Sequence, residues 1–160
     1  MKKKIEIEID ELNDISELST QDSEVLTAAM KASKNAYAIY SGFFVGAAIR
    51  LKSGIVLSGS NRENASFPTG TCAENTVIAY AGANYPDDPI VTLALCAKIK
   101  DVFTSYPVSP CGKCRQIIAE EEDRNKESIK IILFGRDKIE VINGIDSLLP
   151  LRFSQDKLLG

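Results

Sequence analysis

Histidine is absent from this chain of 160 residues, which has only four cysteines. A zinc site here must therefore use anionic ligands, thiolates or carboxylates, instead of neutral imidazoles. An excess of positive charge is also missing, since 19 Lys and Arg residues against 22 Asp and Glu residues give a net charge of −3. This balance is opposite to that of a polynucleotide-binding protein and favours a small, diffusible substrate.

No apolar stretch in the sequence is long enough to span a membrane. The longest, residues 89–97, is interrupted by Thr92 and falls far short of the ~20 residues that a transmembrane helix needs. The N-terminal residues lack the apolar core of a signal peptide, because isoleucines alternate with acidic residues over positions 5–10. We therefore expect a cytoplasmic protein whose cysteines are free thiols or metal ligands, not disulfides.

The hydrophobic pattern alternates between helical and strand periods along the chain. Helices are predicted at residues 22–37, 72–83 and 111–123, with a short one around residues 146–149. Strands are predicted at residues 44–51, 55–58, 90–99, 129–134 and 139–142, the first two joined as a hairpin. This order indicates an α/β fold with a mixed five-stranded sheet flanked by helices.

No repeat, low-complexity tract or linker divides the sequence, so we expect a single domain over residues 1–160. Residues 1–16 are expected to be an N-terminal extension. Within it, residues 5–9 alternate strictly between apolar and acidic, which predicts either an extra edge strand or a flexible arm.

Three cysteines and one glutamate stand at predicted helix starts. Cys72 and Glu74 open one helix, and Cys111 and Cys114 lie in the first turn of the next, where residues three apart share a face. Three thiolates leave a four-coordinate zinc one ligand short, and catalytic zinc sites keep that position for water or substrate. Both helix N-termini present partial positive charge, which lowers the pKa of nearby thiols. The pattern predicts one zinc ion in an open site, with Glu74 placed to act on a water.

Two plainer interpretations of the cysteines stay open. Cys96 can complete a closed structural zinc site, although it lies in a predicted apolar strand, where free cysteine behaves as a small hydrophobe. Cys111 and Cys114 also have the spacing of a redox dithiol at a helix start. That second interpretation leaves Cys72 and Glu74 unexplained.

Four ordered blocks of the sequence, residues 40–48, 61–74, 110–116 and 148–153, resemble the small homotetrameric cytidine deaminases. The resemblance implies a three-layer fold and zinc-dependent hydrolysis of cytidine and 2′-deoxycytidine to uridine and 2′-deoxyuridine, with release of ammonia, in pyrimidine salvage. It also implies one zinc per subunit, a small nucleoside substrate, no nucleic-acid or membrane partner, and a homotetramer with shared active sites. Zinc deaminases as a class use a glutamate that is not a metal ligand.

The resemblance also implies roles for individual residues. Cys72, Cys111 and Cys114 would hold zinc. Glu74 would take a proton from the attacking water, deliver it to N3 of the pyrimidine, and then move a second proton to the departing amine. The expected substrate contacts are Phe43 against the base, Asn61 and Glu63 at the ribose hydroxyls, the Ala73 N–H at the pyrimidine O2, and Phe153 from a neighbouring subunit.

Two positions depart from the usual pattern of the family. Asn75 stands directly after the glutamate, where arginine is usual, so a positive charge facing the thiolates is missing and Arg115 is expected to compensate by donating to a thiolate. Phe67 stands where tyrosine is common, which removes a hydroxyl near the pocket. The alternatives are therefore a deaminase of a modified nucleoside, as in the related blasticidin deaminases, and a noncatalytic zinc-stabilised or redox paralogue.

Overall fold

The protein has an α/β architecture, seen in a computed structural model that describes residues 1–159. The strands are β1 (Asp10–Leu12), β2 (Phe43–Leu51), β3 (Val56–Ser60), β4 (Ile90–Ile99), β5 (Val102–Phe103), β6 (Lys130–Phe134) and β7 (Ile139–Asn143). The α-helices of the described residues are α1 (Thr20–Ala32), α2 (Ala73–Asn84), α3 (Gly112–Asn125) and α4 (Asp156–Leu159).

All seven strands belong to one mixed sheet. Its order is β1-β7-β6-β4-β2-β3, with β5 paired to the end of β4. Only β4 and β6 are parallel among the described pairs, and the crossover between them contains α3. In the antiparallel β2–β4 pair, Phe43 lies opposite Ile99 and Leu51 opposite Ile90. The beginning of β2 and the end of β4 therefore lie side by side, at the same end of the central strands.

Helices cover both faces of the sheet, which makes three layers. Successive side chains of a strand point to opposite faces, and the central strands follow this alternation. Ile49 and Leu93 pack toward α2 and α3, whereas Ala48 and Ala94 pack against Leu26 and its neighbours on α1. Each fully buried leucine or isoleucine of these layers contributes about 1.5–3 kcal/mol to folding through removal of apolar surface from water.

The predicted α/β class is confirmed, and the differences lie at the ends of elements. The helix predicted to reach residue 37 leaves α-helical geometry after Ala32 and continues as a 3₁₀ turn, Ser33–Asn35. The Ser33 hydroxyl donates to the Met30 carbonyl oxygen at 2.8 Å and so competes with the backbone at that point. The short helix predicted around residues 146–149 is a 3₁₀ turn, Ile145–Ser147.

Of the two alternatives for residues 5–9, an edge strand or a flexible arm, the edge strand does not form at those residues. The N-terminal strand is instead β1, which pairs with β7 so that Asp10 lies opposite Val141 and Leu12 opposite Ile139. Because β7 ends at Asn143, residues before Asp10 run past the end of this neighbour and have little backbone left to pair with. With β5 as well, the sheet has seven strands instead of five. No described helix has the length and apolar character needed to cross a membrane.

Candidate metal centre and substrate pocket

Three cysteine side chains meet where α2 and α3 begin. Cys72 is the N-cap residue of α2, Cys111 is the N-cap residue of α3, and Cys114 lies in the first turn of α3. The Sγ atoms of Cys72 and Cys111 are 3.9 Å apart, and all three Sγ atoms lie within 4.8 Å of one another. Tetrahedral zinc with Zn–S bonds of about 2.3 Å separates its sulfurs by about 3.8 Å, so the donor set fits this ion.

The protonation of the three thiols shows why they need a cation. Hydrogen bonding with Cys114, and less strongly with Cys111, lowers the pKa of Cys72 to about 6, against the effects of burial and of the Glu74 charge. The pKa of Cys114 is raised, chiefly because its proton is held in the hydrogen bond to Cys72. The first of these thiols to ionise therefore loses its proton readily, and ionisation of the next is unfavourable. A divalent cation among the sulfurs makes that further ionisation favourable.

Glu74 lies two residues after Cys72, in the first turn of α2, and is only 5% exposed. Burial raises the pKa of its carboxyl group, with smaller opposing effects from its own backbone N–H and from Cys114. A carboxyl group whose pKa is raised toward neutrality can both take up and return a proton during a reaction. The sequence thus places a buried carboxyl group beside the sulfur cluster.

A cavity of about 680 Å³ opens beside the cluster, at the end of the sheet where β2 begins and β4 ends. This volume lies within the usual range for small-molecule sites. Among the residues singled out from the sequence, the cavity is lined by Phe43, Asn61, Glu63, Phe67, Cys72, Ala73, Glu74, Cys96 and Cys111. Cys114 is fully buried behind them.

Asn61 and Glu63 are already bound to the backbone at the start of β2. Asn61 accepts a hydrogen bond from the Val45 N–H at 2.8 Å and donates from Nδ2 to the Phe43 carbonyl oxygen at 2.9 Å. Glu63 accepts from the Ser41 hydroxyl, which lowers the pKa of the Glu63 carboxyl group. Each side chain keeps one or more lone pairs or N–H groups for a ligand. Asn61 and Glu63 thus hold the chain around the start of β2 in place and also line the cavity.

The expectation that Arg115 donates to a thiolate is not met. Its Nε donates to the Pro110 carbonyl oxygen at 2.8 Å and its Nη1 to the Leu148 carbonyl oxygen at 2.7 Å. Consecutive residues point about 100° apart around a helix, so a side chain directly after Cys114 is directed away from the sulfur face. Asn75 likewise donates to the Thr71 hydroxyl at 3.1 Å.

Sequence reasoning missed a positive charge that acts on the cluster. Lys113, between the two cysteines of α3, contributes to the lowered pKa of Cys72. Its position inside the Cys-x-x-Cys spacing was the available signal. Tyr40 was missed too: it lines the cavity and packs edge-to-face against Phe67, with ring centroids 5.6 Å apart.

Cys96 and Phe153 lie away from the three sulfurs. Cys96 is 2% exposed in β4, and its thiol contacts the Gly46 carbonyl oxygen at 3.8 Å. Burial raises the pKa of Cys96 to about 11, and it is outside the metal-binding group found in the described residues. The closed four-cysteine site is therefore wrong. Phe153 is 55% exposed and, within residues 1–159, does not line the cavity.

Comparisons with known proteins agree with this chemistry. Residues 19–126 match the family model described as the cytidine and deoxycytidylate deaminase zinc-binding region. A cytidine deaminase of Halalkalibacterium halodurans is 42% identical over 96 residues, covering 60% of this chain and 68% of that protein. One from Sporosarcina psychrophila is 38% identical over 97 residues, covering 61% and 67%. The crystal structure of a cytidine deaminase from Burkholderia pseudomallei gives a TM-score of 0.68 at 34% identity, covering 81% of this chain and 97% of that one.

Proposed function

The chain belongs to the family of cytidine and deoxycytidylate deaminases, and we propose that it converts cytidine and 2′-deoxycytidine to uridine and 2′-deoxyuridine with release of ammonia. Like the family, it is a zinc-dependent hydrolase. The observation that carries the substrate proposal is the buried Glu74 carboxyl group beside three clustered thiols at the wall of one cavity. A proton carrier and a metal site facing the same space suit hydrolysis of a small polar molecule.

We propose that Cys72, Cys111 and Cys114 hold one zinc ion. The spacing of their sulfurs and the lowered pKa of Cys72 support this assignment. When bound, zinc supplies Lewis acidity that makes a water reactive near neutral pH. The N-termini of α2 and α3, together with Lys113, offset the negative charge of three thiolates.

We propose that Glu74 carries the protons of the reaction. Its carboxylate takes a proton from the attacking water and gives it to N3 of the pyrimidine while the water oxygen bonds to C4. It then takes a second proton from the new hydroxyl group on C4 and gives it to the amino group; the C4–N bond breaks, the C4–O bond becomes a carbonyl, and ammonia leaves. The burial that raises the pKa of Glu74 favours uptake of a proton from the attacking water.

The nucleoside contacts are also proposals. Phe43 would pack against the base, and Asn61 and Glu63 would bind the ribose hydroxyls with the hydrogen-bonding capacity that the backbone leaves unused. The Ala73 N–H would donate to the pyrimidine O2. It is in the first turn of α2, where no side chain caps the helix, so its N–H has no partner within the helix.

We propose that the protein is a homotetramer in which Phe153 of one subunit enters the cavity of a neighbour. In support, Phe153 is 55% exposed and, in the described part of the chain, is separate from its own cavity. A large apolar side chain left in this position is stabilised by burial against another molecule.

The setting proposed for this activity is pyrimidine salvage in the cytoplasm, by one domain over residues 1–160. Three reduced cysteines are needed to bind zinc, and all four cysteines of the chain are free thiols, which suits a reducing compartment. The sheet supports the single domain, because it runs from β1 near the N-terminus to β7.

A second candidate function is deamination of a modified nucleoside. Phe67 is 72% exposed at the mouth of the cavity and packs against Tyr40. An apolar rim of this kind can accept a larger substituent than a hydroxyl-lined one.

A substrate panel tests the proposed function. The loss of ultraviolet absorbance and the release of ammonia are measured with cytidine, 2′-deoxycytidine, free cytosine and a blasticidin-type nucleoside. We expect turnover of the two simple nucleosides and little turnover of cytosine, which lacks the hydroxyls that Asn61 and Glu63 bind. Turnover of the modified nucleoside alone would favour the second candidate. Zinc-loaded protein inactive on all four at micromolar concentration would favour a noncatalytic paralogue.

A further inference from the structure

The segment that carries Phe153 is bound along the side of α3. Gln116 and Glu120 lie one turn apart and so share a face of that helix. Gln116 Nε2 donates to the Phe153 carbonyl oxygen at 3.0 Å, and Gln155 Nε2 donates to Glu120 Oε1 at 2.8 Å. We call residues 152–155 the C-terminal strap. Its backbone and side chains thus follow the face of α3.

Arg152 adds a charged anchor at the other end of this contact. Its Nη2 lies 2.7 Å from Asp123 Oδ1, three residues beyond Glu120 on the same face of α3. Its Nη1 lies 3.6 Å from Glu122 Oε2, and its Nε lies 3.5 Å from Asp146 Oδ1. The Arg152 side chain is 20% exposed and that of Asp123 is 18% exposed. Solvent therefore screens this pair less than it screens a fully exposed surface pair.

Glu122 connects the anchor to the sheet. Its carboxylate accepts hydrogen bonds from the Ile129 N–H at 2.8 Å and the Ile145 N–H at 3.0 Å. Ile129 directly precedes β6, and Ile145 begins the 3₁₀ turn after β7. Glu122, one of the acidic residues near Arg152, is therefore fixed to the rigid part of the subunit by two backbone hydrogen bonds.

The residues on either side of Arg152 show what the anchor controls. Leu151 has a φ of 64°, a left-handed conformation that is uncommon for residues other than glycine. That conformation turns the chain into the strap. Phe153 follows, with its carbonyl oxygen held by Gln116 and its ring largely exposed. The direction of the Phe153 ring is thus set by two contacts: the ion pair of Arg152, the residue before it, and the hydrogen bond from Gln116 to its own carbonyl oxygen.

We propose that Arg152 is a positioning residue for Phe153. Its ion pair with Asp123 holds the strap on α3, so that Phe153 leaves the subunit in one orientation, ready to enter the neighbouring cavity. This inference rests on the proposed donation of Phe153 between subunits. The same helix begins beside Cys111 and contains Cys114, so two of the three proposed metal ligands of a subunit and the aromatic ring that it donates are held by one rigid element.

Steady-state kinetics on the zinc-loaded enzyme with cytidine test the proposal. We expect Arg152→Ala to raise KM about three- to tenfold. This is the cost of ordering the Phe153 side chain on binding, when Arg152 no longer holds it in place. The kcat, zinc content and oligomer mass should not change. Arg152→Lys should recover part of the loss. Arg124→Ala is the matched control, because Arg124 lies on α3 and pairs with Glu121, at 3.6 Å, instead of with the strap.

A double variant separates positioning from general stability. If Arg152 acts through Phe153, the Arg152→Ala/Phe153→Ala double variant should have the KM of Phe153→Ala alone. A charge-swapped variant, Asp123→Arg/Arg152→Asp, should recover KM relative to Arg152→Asp, which tests the pair even where the alanine variant folds poorly.

Two results would overturn the inference in distinguishable ways. A raised KM for Phe153→Ala together with a wild-type KM for Arg152→Ala would overturn the role of Arg152 and leave the shared site intact. A wild-type KM for Phe153→Ala would overturn the shared site itself, and the positioning role with it.

Discussion

Cys72, Cys111 and Cys114 bring up to three negative charges together at a partly exposed site, so the positive charge around them affects how strongly they bind metal. The guanidinium of Arg115 is bound to two carbonyl oxygens instead, and Asn75 is neutral. Compensation therefore comes from the N-termini of α2 and α3 and from Lys113.

The zinc content of cysteine variants tests this assignment of ligands. We expect one zinc per chain in the wild type and in Cys96→Ala, because Cys96 contacts a carbonyl oxygen in the core and not the metal group. Cys72→Ala should lose most of its zinc after dialysis against a chelator, since two thiolates bind far more weakly than three. Metal analysis of the purified variants provides the measurement. Equal zinc loss in both variants would contradict the three-cysteine site.

The residues of the site could be predicted from the sequence further than their contacts could. Helix starts at Cys72 and Cys111 follow from local pattern, and their spacing places Cys111 and Cys114 on one face of α3. Cys72, 39 residues before Cys111, joins them through the tertiary fold. The direction of Arg115 depends on the carbonyl of Leu148, which lies 33 residues further along the chain. Local pattern contains no information about that partner, so the predicted thiolate contact was wrong.

At the scale of elements, long periodic segments were predicted well and short ones poorly. The strand predicted at residues 90–99 has the observed bounds of β4, within which residues 92–98 are buried in a continuous run. β1 and β5, with three and two residues, have no pattern of their own and form only where a neighbouring edge offers hydrogen bonds. Such strands are fixed by tertiary structure.

The end of α3 offers a stability test at this scale. Lys126, its C-cap residue, has left-handed dihedrals, φ 52° and ψ 35°. This conformation costs a non-glycine residue about 1–2 kcal/mol, and glycine at this position loses about 0.5–1 kcal/mol of that gain to chain entropy. We expect Lys126→Gly to stabilise the protein by about 0.5–1 kcal/mol and to raise Tm by about 1–4 °C.

Lys126→Ala serves as the control, because it removes the same charged side chain and keeps the Cβ atom that disfavours the left-handed conformation. Thermal unfolding is followed at fixed protein and zinc concentration. An equal rise in Tm for both variants would mean that the side chain, and not the backbone conformation, limits stability there.

At the scale of the whole molecule, one chain brings the three cysteines and Glu74 together, but Phe153 on its own C-terminal strap does not reach the cavity within residues 1–159. The cavity is lined by residues from β2, β4 and the start of α2, whereas Phe153 is exposed on the strap beside α3. The resemblance of residues 148–153 to known deaminases led to the prediction that Phe153 contacts substrate in a neighbouring subunit. Only the structure shows how Gln116 and Arg152 hold the segment.

Mixed oligomers of two defective variants test the chemistry and the shared site together. Glu74→Gln should keep zinc and lower kcat by about 10²–10⁴, the usual contribution of a general acid–base residue. Phe153→Ala should keep kcat and raise KM. After co-assembly, sites that combine Glu74 from one chain with Phe153 from the other should turn over cytidine with the wild-type KM. As a control, the Glu74→Gln/Phe153→Ala double variant should give no such recovery when assembled with Phe153→Ala.

The decisive quantity is therefore kcat/KM for cytidine in the mixed oligomers, compared with each parent variant. We predict a component with wild-type KM that appears only when both parents share an oligomer. Full kcat in Glu74→Gln alone would contradict the role of Glu74, and a mixture that shows only the raised KM of Phe153→Ala would contradict an active site built from two subunits.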